Sequence, residues 1–209
     1  MDYAASERRA AHAADSGTSP PGRAPRSSAK IVIAGGFGAG KTTTIGSVSE
    51  IDPLRTEARI TAASLATDDT SQVRQKSTTT VAMDFGRVAL ADDLMLYLFG
   101  TPGQDRFWFM WDDLVQGAVG AVVIVDTRRL ADCFAPVDYF EARNIPFVVA
   151  LNTFDGQSPH TPEQVRGALG LDPAVPVLTC DARSREDVVP VLISLVEHAL
   201  MLRCRTGNG

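Results

Sequence analysis

A chain of 209 residues with 44% hydrophobic and 22% charged side chains has ordinary globular composition, and at that length one domain can enclose a full core. The net charge of -5, from 20 basic and 25 acidic side chains, argues against a nucleic-acid surface or a direct patch for anionic lipid. Three scattered cysteines (Cys133, Cys180, Cys204) and three histidines without ligand spacing (His12, His160, His198) argue against a disulfide framework and a His/Cys metal centre, and suit the reducing cytoplasm.

Residues 1–29 are rich in Ala, Ser, Gly, Pro and Arg and read as a disordered tail. From Lys30 the pattern becomes alternating strand and helix, so one domain is expected over residues 30–205. Ile31-Val32-Ile33-Ala34 is a short apolar run of the kind that forms a buried parallel strand. A glycine-rich turn follows, then a helix from about Lys41. The polar stretch from about Asp52 to Ser77 reads as a loop. Val81, Met83 and Phe85 alternate with Ala82 and Asp84, and Leu94, Leu96 and Leu98 alternate in their turn, which predicts an antiparallel hairpin. Three further apolar runs, Ala121–Val125, Pro146–Leu151 and Val175–Leu178, predict parallel strands with helices between them. A Val- and Leu-rich helix closes the chain from about Glu186 to Arg203 and is expected to pack on the sheet. No segment reaches the roughly 20 apolar residues of a membrane-spanning helix, no apolar leader opens the chain, and its last residues are not a prenylation box. The sum is a three-layer α/β fold around a mostly parallel six-stranded sheet with one antiparallel edge strand.

The chemistry begins at Gly35-Gly36-Phe37-Gly38-Ala39-Gly40-Lys41-Thr42, which fits G-x-x-x-x-G-K-[ST] without mismatch between a strand and a helix. Glycines let backbone N–H groups turn inward and cradle phosphate oxygens, and the helix start adds its positive dipole end. Lys41 can reach the β- and γ-phosphates of a nucleotide, and the Thr42 hydroxyl can bind Mg²⁺, with Thr43 beside it.

Three further phrases resemble the motifs of Ras-like GTPases. Leu151-Asn152-Thr153-Phe154-Asp155 resembles the guanine motif N-K-x-D, in which the aspartate accepts from N1–H and the 2-amino group of guanine. Thr179-Cys180-Asp181-Ala182-Arg183 stands where that family has its S-A-K loop, with the Ala182 N–H toward the guanine oxygen. Phe99-Gly100-Thr101-Pro102-Gly103-Gln104-Asp105 resembles the second switch, in which Gly103 would donate to the γ-phosphate and Gln104 would orient the attacking water. Thr80, before Val81-Ala82-Met83-Asp84-Phe85-Gly86, resembles the first-switch threonine that completes the Mg²⁺ shell. The segment from about Lys30 to Arg203 thus looks like a small Ras-like P-loop GTPase, most similar to the actinobacterial conservon GTPases related to gliding-motility GTPases. That resemblance implies GTP and GDP as ligands with Mg²⁺, slow hydrolysis, a switch role in bacterial signalling, and two partners: a roadblock-fold regulator and a membrane sensor of histidine-kinase type that would bring the protein to the membrane.

Two positions depart from the family pattern. Gly100 stands where most members have the aspartate that holds Mg²⁺ through a water, and Thr153 stands where most have lysine. Both are expected to weaken nucleotide or Mg²⁺ binding. They favour an alternative in which the protein is a nucleotide-dependent scaffold with negligible hydrolysis, whereas Gln104 opposes it. An ATP-using P-loop enzyme such as a small kinase is a further alternative. No arginine in the sequence is aimed at the γ-phosphate, although Arg74 and Arg106 lie near the switches. In Phe107-Trp108-Phe109-Met110-Trp111 a helical reading puts Phe107, Trp111, Leu114 and Val115 on a core face and Phe109 opposite.

Overall fold

The computed structural model describes residues 27–52, 54–60, 79–91, 93–103, 105–153 and 158–206; within these, no side chain is described for residues 54–60, 79–82, 105, 106 and 206. Seven strands form one sheet: β1 (Ser27–Gly35), β2 (Leu54–Ile60), β3 (Thr79–Ala91), β4 (Leu94–Gly100), β5 (Ala118–Val125), β6 (Phe147–Asn152) and β7 (Val177–Cys180). Their order is β2-β3-β4-β1-β5-β6-β7. β1 pairs in parallel with β4 and β5, and the parallel run continues through β6 to β7. β3 is antiparallel to both neighbours, β2 and β4.

The α/β fold with one antiparallel strand is the expected one, but the sheet holds seven strands rather than six, and the antiparallel strand is not at the edge. The extra strand is β2, in a stretch whose polarity reads as loop. Leu54-Arg55-Thr56-Glu57-Ala58-Arg59-Ile60 has charges at every second position, and that period of two suits an edge strand paired on one side. β1 also begins at Ser27, earlier than the Lys30 boundary, because Ser27 to Ala29 pair with Leu94 to Leu96.

The central strands carry unbroken apolar runs, and the period of two sends their side chains to both faces. Ile31, Ile33, Val122, Ile124, Val148 and Ala150 pack with α1 (Lys41–Val48) and α5 (Arg185–Thr206). Val32, Ala34, Ala121, Val123, Val125 and Leu151 pack on the opposite face with α2 (Trp111–Val115), α3 (Phe134–Ala142) and α4 (Pro162–Leu169). Burial of so many large side chains, at about 1.5–3 kcal/mol each, dominates the stability of such a sheet. Residues Asp105–Met110 form a 3-10 turn ahead of α2 rather than one continuous helix. The aromatic run still divides as its spacing predicts: Phe107, Trp111 and Leu114 are buried, Val115 is half-buried and Phe109 is exposed. Among the described residues, no helix is long and apolar enough to cross a membrane.

Candidate functional site

The buried strand β1 ends at Gly35, and α1 starts six residues later at Lys41. Gly40 turns the chain into α1 with a φ of 112°, and a Cβ there would lie 2.6 Å from Nδ2 of Asn152, so only glycine fits. Having no side chain, Gly40 gives α1 no side-chain cap, and the first turn carries no acidic residue. The first N–H groups of the helix therefore face the loop as anion donors. Lys41 is buried, and its Nζ donates to the carbonyls of Gly35 at 2.9 Å and Gly36 at 2.7 Å. Burial pulls its pKa down to about 8, against the opposing pull of the Asp84 carboxylate. The segment that follows β4 closes on the same ammonium: a Cβ at Gly103 would lie 2.6 Å from Lys41 Nζ.

A cavity of about 400 Å³ opens beside the loop, lined among others by Gly38, Gly40, Lys41, Thr42, Thr43 and Gly103. Asp84 and Thr101 also line it. The Thr42 hydroxyl donates to Oδ2 of Asp84. Thr101 is 4% exposed, and its hydroxyl has no hydrogen-bond partner among the described residues. Phe37 stands at the rim, 63% exposed.

On another side of the loop stand the ends of β6 and β7, whose last paired residues are Asn152 and Cys180. Asn152 is 4% exposed, and its amide ties two loops: Nδ2 donates to the Ala39 carbonyl at 2.9 Å, and Oδ1 accepts from the Ala182 N–H at 3.0 Å. The Ala182 N–H, expected to face a base, is therefore engaged by Asn152 here. Thr153 donates through its backbone N–H to the Cys180 carbonyl at 2.8 Å, and Cys180 is itself buried. Asp181 grips Arg183 at 2.7 Å, and that pairing holds its carboxyl down to about 2.

Behind the loop runs the 3-10 segment Thr127–Cys133. Arg129 donates to the Phe37 carbonyl at 3.3 Å and pairs with Asp132 at 2.6 Å. A Cβ at Gly36 would lie 2.6 Å from Cβ of Asp132, so this segment presses directly on the loop. Trp108 and Trp111 stack at 4.3 Å beside it.

The structure thus brings together Gly35, Phe37, Gly38, Ala39, Gly40, Lys41, Thr42, Thr43 and Gly103 at one end, and Asn152, Thr153, Cys180, Asp181 and Ala182 at the other. Thr80 is placed only as backbone in β3. Gln104, Asp155 and Arg74 lie outside the described residues, as does the Arg106 side chain. Sequence reasoning missed Asp84, Thr101 and Arg129. Asp84 had a signal, a carboxylate inside the apolar run from Val81 to Phe85; the place of Arg129 depends on a fold-level contact that no local spacing reveals.

A largely parallel sheet whose central strand runs through a glycine-rich turn into a lysine-led helix is a P-loop α/β fold of the G-domain type. The G domain of the FeoB iron transporter of T. maritima has this fold, with a TM-score of 0.59 at 15% identity over 83% of this chain and 99% of that one. The FeoB G domain of Methanococcus jannaschii gives a TM-score of 0.55 at 14% identity, over 82% and 98%. The cytosolic domain of T. maritima FeoB in a GDP form gives 0.60 at 15% identity, with 84% of this chain covering 64% of that longer one. By sequence, the chain belongs to the family described as conserved hypothetical ATP binding protein, whose model matches residues 33–202. An uncharacterized protein of Methanocaldococcus jannaschii is 28% identical over 128 residues, which span 60% of this chain and 70% of that one.

Proposed function

We propose that this chain binds GTP and GDP with Mg²⁺ and hydrolyses GTP slowly, as a molecular switch in bacterial signalling. The observation that carries this reading is the joining of the lysine-led phosphate loop to the β6–β7 end through Asn152, which contacts Ala39 and Ala182 at once. One cleft then offers a phosphate cradle at one end and a base-binding end at the other.

In this reading the loop from Gly35 to Thr43 takes the phosphates, and Lys41 exchanges the Gly35 and Gly36 carbonyls for phosphate oxygens. A bound magnesium ion would supply charge neutralisation between phosphate oxygens. The Thr42 and Thr80 hydroxyls are the groups that would hold it, and the orphaned Thr101 hydroxyl beside a carboxylate suits a hydrated cation. The Gly103 N–H faces the γ-phosphate and Gln104 orients water. Asp155 accepts from guanine, with Asn152, Thr153, Cys180, Asp181 and Ala182 shaping the base end. The domain expected over residues 30–205, which in the structure already begins at Ser27 in β1, does this work. The kinship with conservon GTPases, and the roadblock-fold and sensor-kinase-like partners that would recruit a cytoplasmic protein to the membrane, belong to the same proposal.

The family's description favours a second reading, ATP as ligand. A competition titration against fluorescent GDP separates them. GTP and GDP should compete at least tenfold better than ATP, about 1.4 kcal/mol. Asp155→Asn should weaken guanine nucleotides and admit xanthine nucleotides, whose extra carbonyl suits an amide donor. Equal competition by ATP would transfer the proposal to adenine.

A further inference from the structure

Gly100 ends β4 where the Ras-like pattern has a carboxylate, yet the carboxylate is not missing from that place. The β3–β4 register pairs Gly86 with Leu98 and Phe85 with Phe99. One more step along this antiparallel ladder sets Asp84 across from Gly100. The side-chain geometry agrees: a Cβ at Gly100 would lie 3.2 Å from Cβ of Asp84 and 3.5 Å from its Oδ2. An aspartate at 100 and the one at 84 would thus crowd one space, and glycine at 100 leaves it to Asp84. From there Oδ2 of Asp84 accepts from the Thr42 hydroxyl in the first turn of α1. The Asp84 charge also reaches the neighbouring Lys41.

Resting on the nucleotide-binding reading above, we infer that Asp84 supplies from β3 the cation-positioning carboxylate that β4 lacks, acting with the Thr42 hydroxyl on the Mg²⁺ of a bound nucleotide. Two independent observations point the same way: the placement of Asp84 against Gly100 across the β3–β4 ladder, and the unpartnered hydroxyl of Thr101 in the same cavity. The site keeps its charge while the carboxylate changes strand, so the expected weakening of Mg²⁺ binding by Gly100 is offset.

The test is a Mg²⁺ titration of the protein–GDP complex, with GDP affinity also measured in EDTA, for wild type, Asp84→Asn and the relocation pair Asp84→Gly/Gly100→Asp. The amide of Asp84→Asn keeps an oxygen for Thr42, and thermal melting checks that each variant is folded. Wild type should bind GDP more tightly with Mg²⁺ than in EDTA. Asp84→Asn should lose at least tenfold in apparent Mg²⁺ affinity with GDP binding in EDTA unchanged, and the relocation pair should regain most of that loss. Unaltered Mg²⁺ affinity in folded Asp84→Asn overturns the inference. Wild-type GDP binding that is indifferent to Mg²⁺ overturns it too, while leaving the nucleotide reading standing. Absence of any guanine or adenine nucleotide binding by wild type removes both.

Discussion

The two ends of the cleft are held in different ways. At the phosphate end the key side chain is satisfied locally: Lys41 donates to carbonyls five and six residues before it. At the base end a single amide spans the fold, joining Asn152 to Ala39 across 113 residues and to Ala182 across 30. The first end needs only β1 and α1 to exist. The second needs β6 and β7 in register beside β1. The difference separates function from architecture: a charge held in place at a cost on one side, a structural tie on the other. Removing Lys41 should harm binding and spare the fold, and removing Asn152 should harm the fold first.

The largest expected effect tests whether the phosphate end also does chemistry. Gln104→Leu should leave nucleotide affinity intact and lower single-turnover phosphate release by about 100-fold, the scale of a positioned proton-transfer or water-orienting group. Equal rates would move the scaffold reading ahead. Next, Asn152→Ala would leave the Ala39 carbonyl and the Ala182 N–H without their partner in a dry site. Each such group costs about 1–3 kcal/mol, so urea unfolding should show a loss of at least about 2 kcal/mol. A stability change near zero would mean that the tie is decorative and the comparison false. Lys41→Ala should cost at least tenfold in GDP affinity, about 1.4 kcal/mol, while the melting temperature holds or rises because a buried charge has gone. A clear fall in stability would place Lys41 among the architectural residues instead.

The smallest effect is a pH dependence. The folded-state pKa of Lys41 is pulled below its ordinary 10.5 to about 8. Below about pH 8 the residue is charged in folded and unfolded chains alike, so the burial penalty is fully present. Between about 8 and 10.5 the unfolded chain keeps the proton that the folded one has released, so this contribution to stability improves as pH rises. Phosphate favours the charged form, so binding should take up a proton above pH 8. GDP affinity should then fall by about tenfold or less between about pH 7 and pH 9. Isothermal calorimetry in buffers of different ionisation enthalpy reads the proton directly, and Lys41→Arg should flatten the dependence.

What the sequence revealed, and what it hid, follows the same division. The phosphate loop is contiguous, and its glycines and lysine announce themselves within eight positions. Apolar runs gave β1, β5, β6 and β7, most plainly where both faces are buried, and the alternation of Leu94, Leu96 and Leu98 gave β4. β2 was lost because its polarity reads as loop, although its charges fall at every second position. Asp84 was read as part of a strand pattern, since its meaning depends on which residue of β4 lies opposite. That pairing was already implied by the hairpin and needed only its register. Arg129 and Asp132 could not be placed at all: their contact with Phe37 and Gly36 arises where the segment after β5 folds back over the loop.

The pair of carbonyls that holds Lys41 also bears on time rather than affinity. If a nucleotide binds as proposed, its departure would not strand the ammonium, because the Gly35 and Gly36 oxygens stand at 2.9 and 2.7 Å from it. An arriving phosphate must first draw the ammonium from those two oxygens. Under the proposed nucleotide binding, those carbonyls would compete with phosphate for the ammonium, easing departure and slowing arrival.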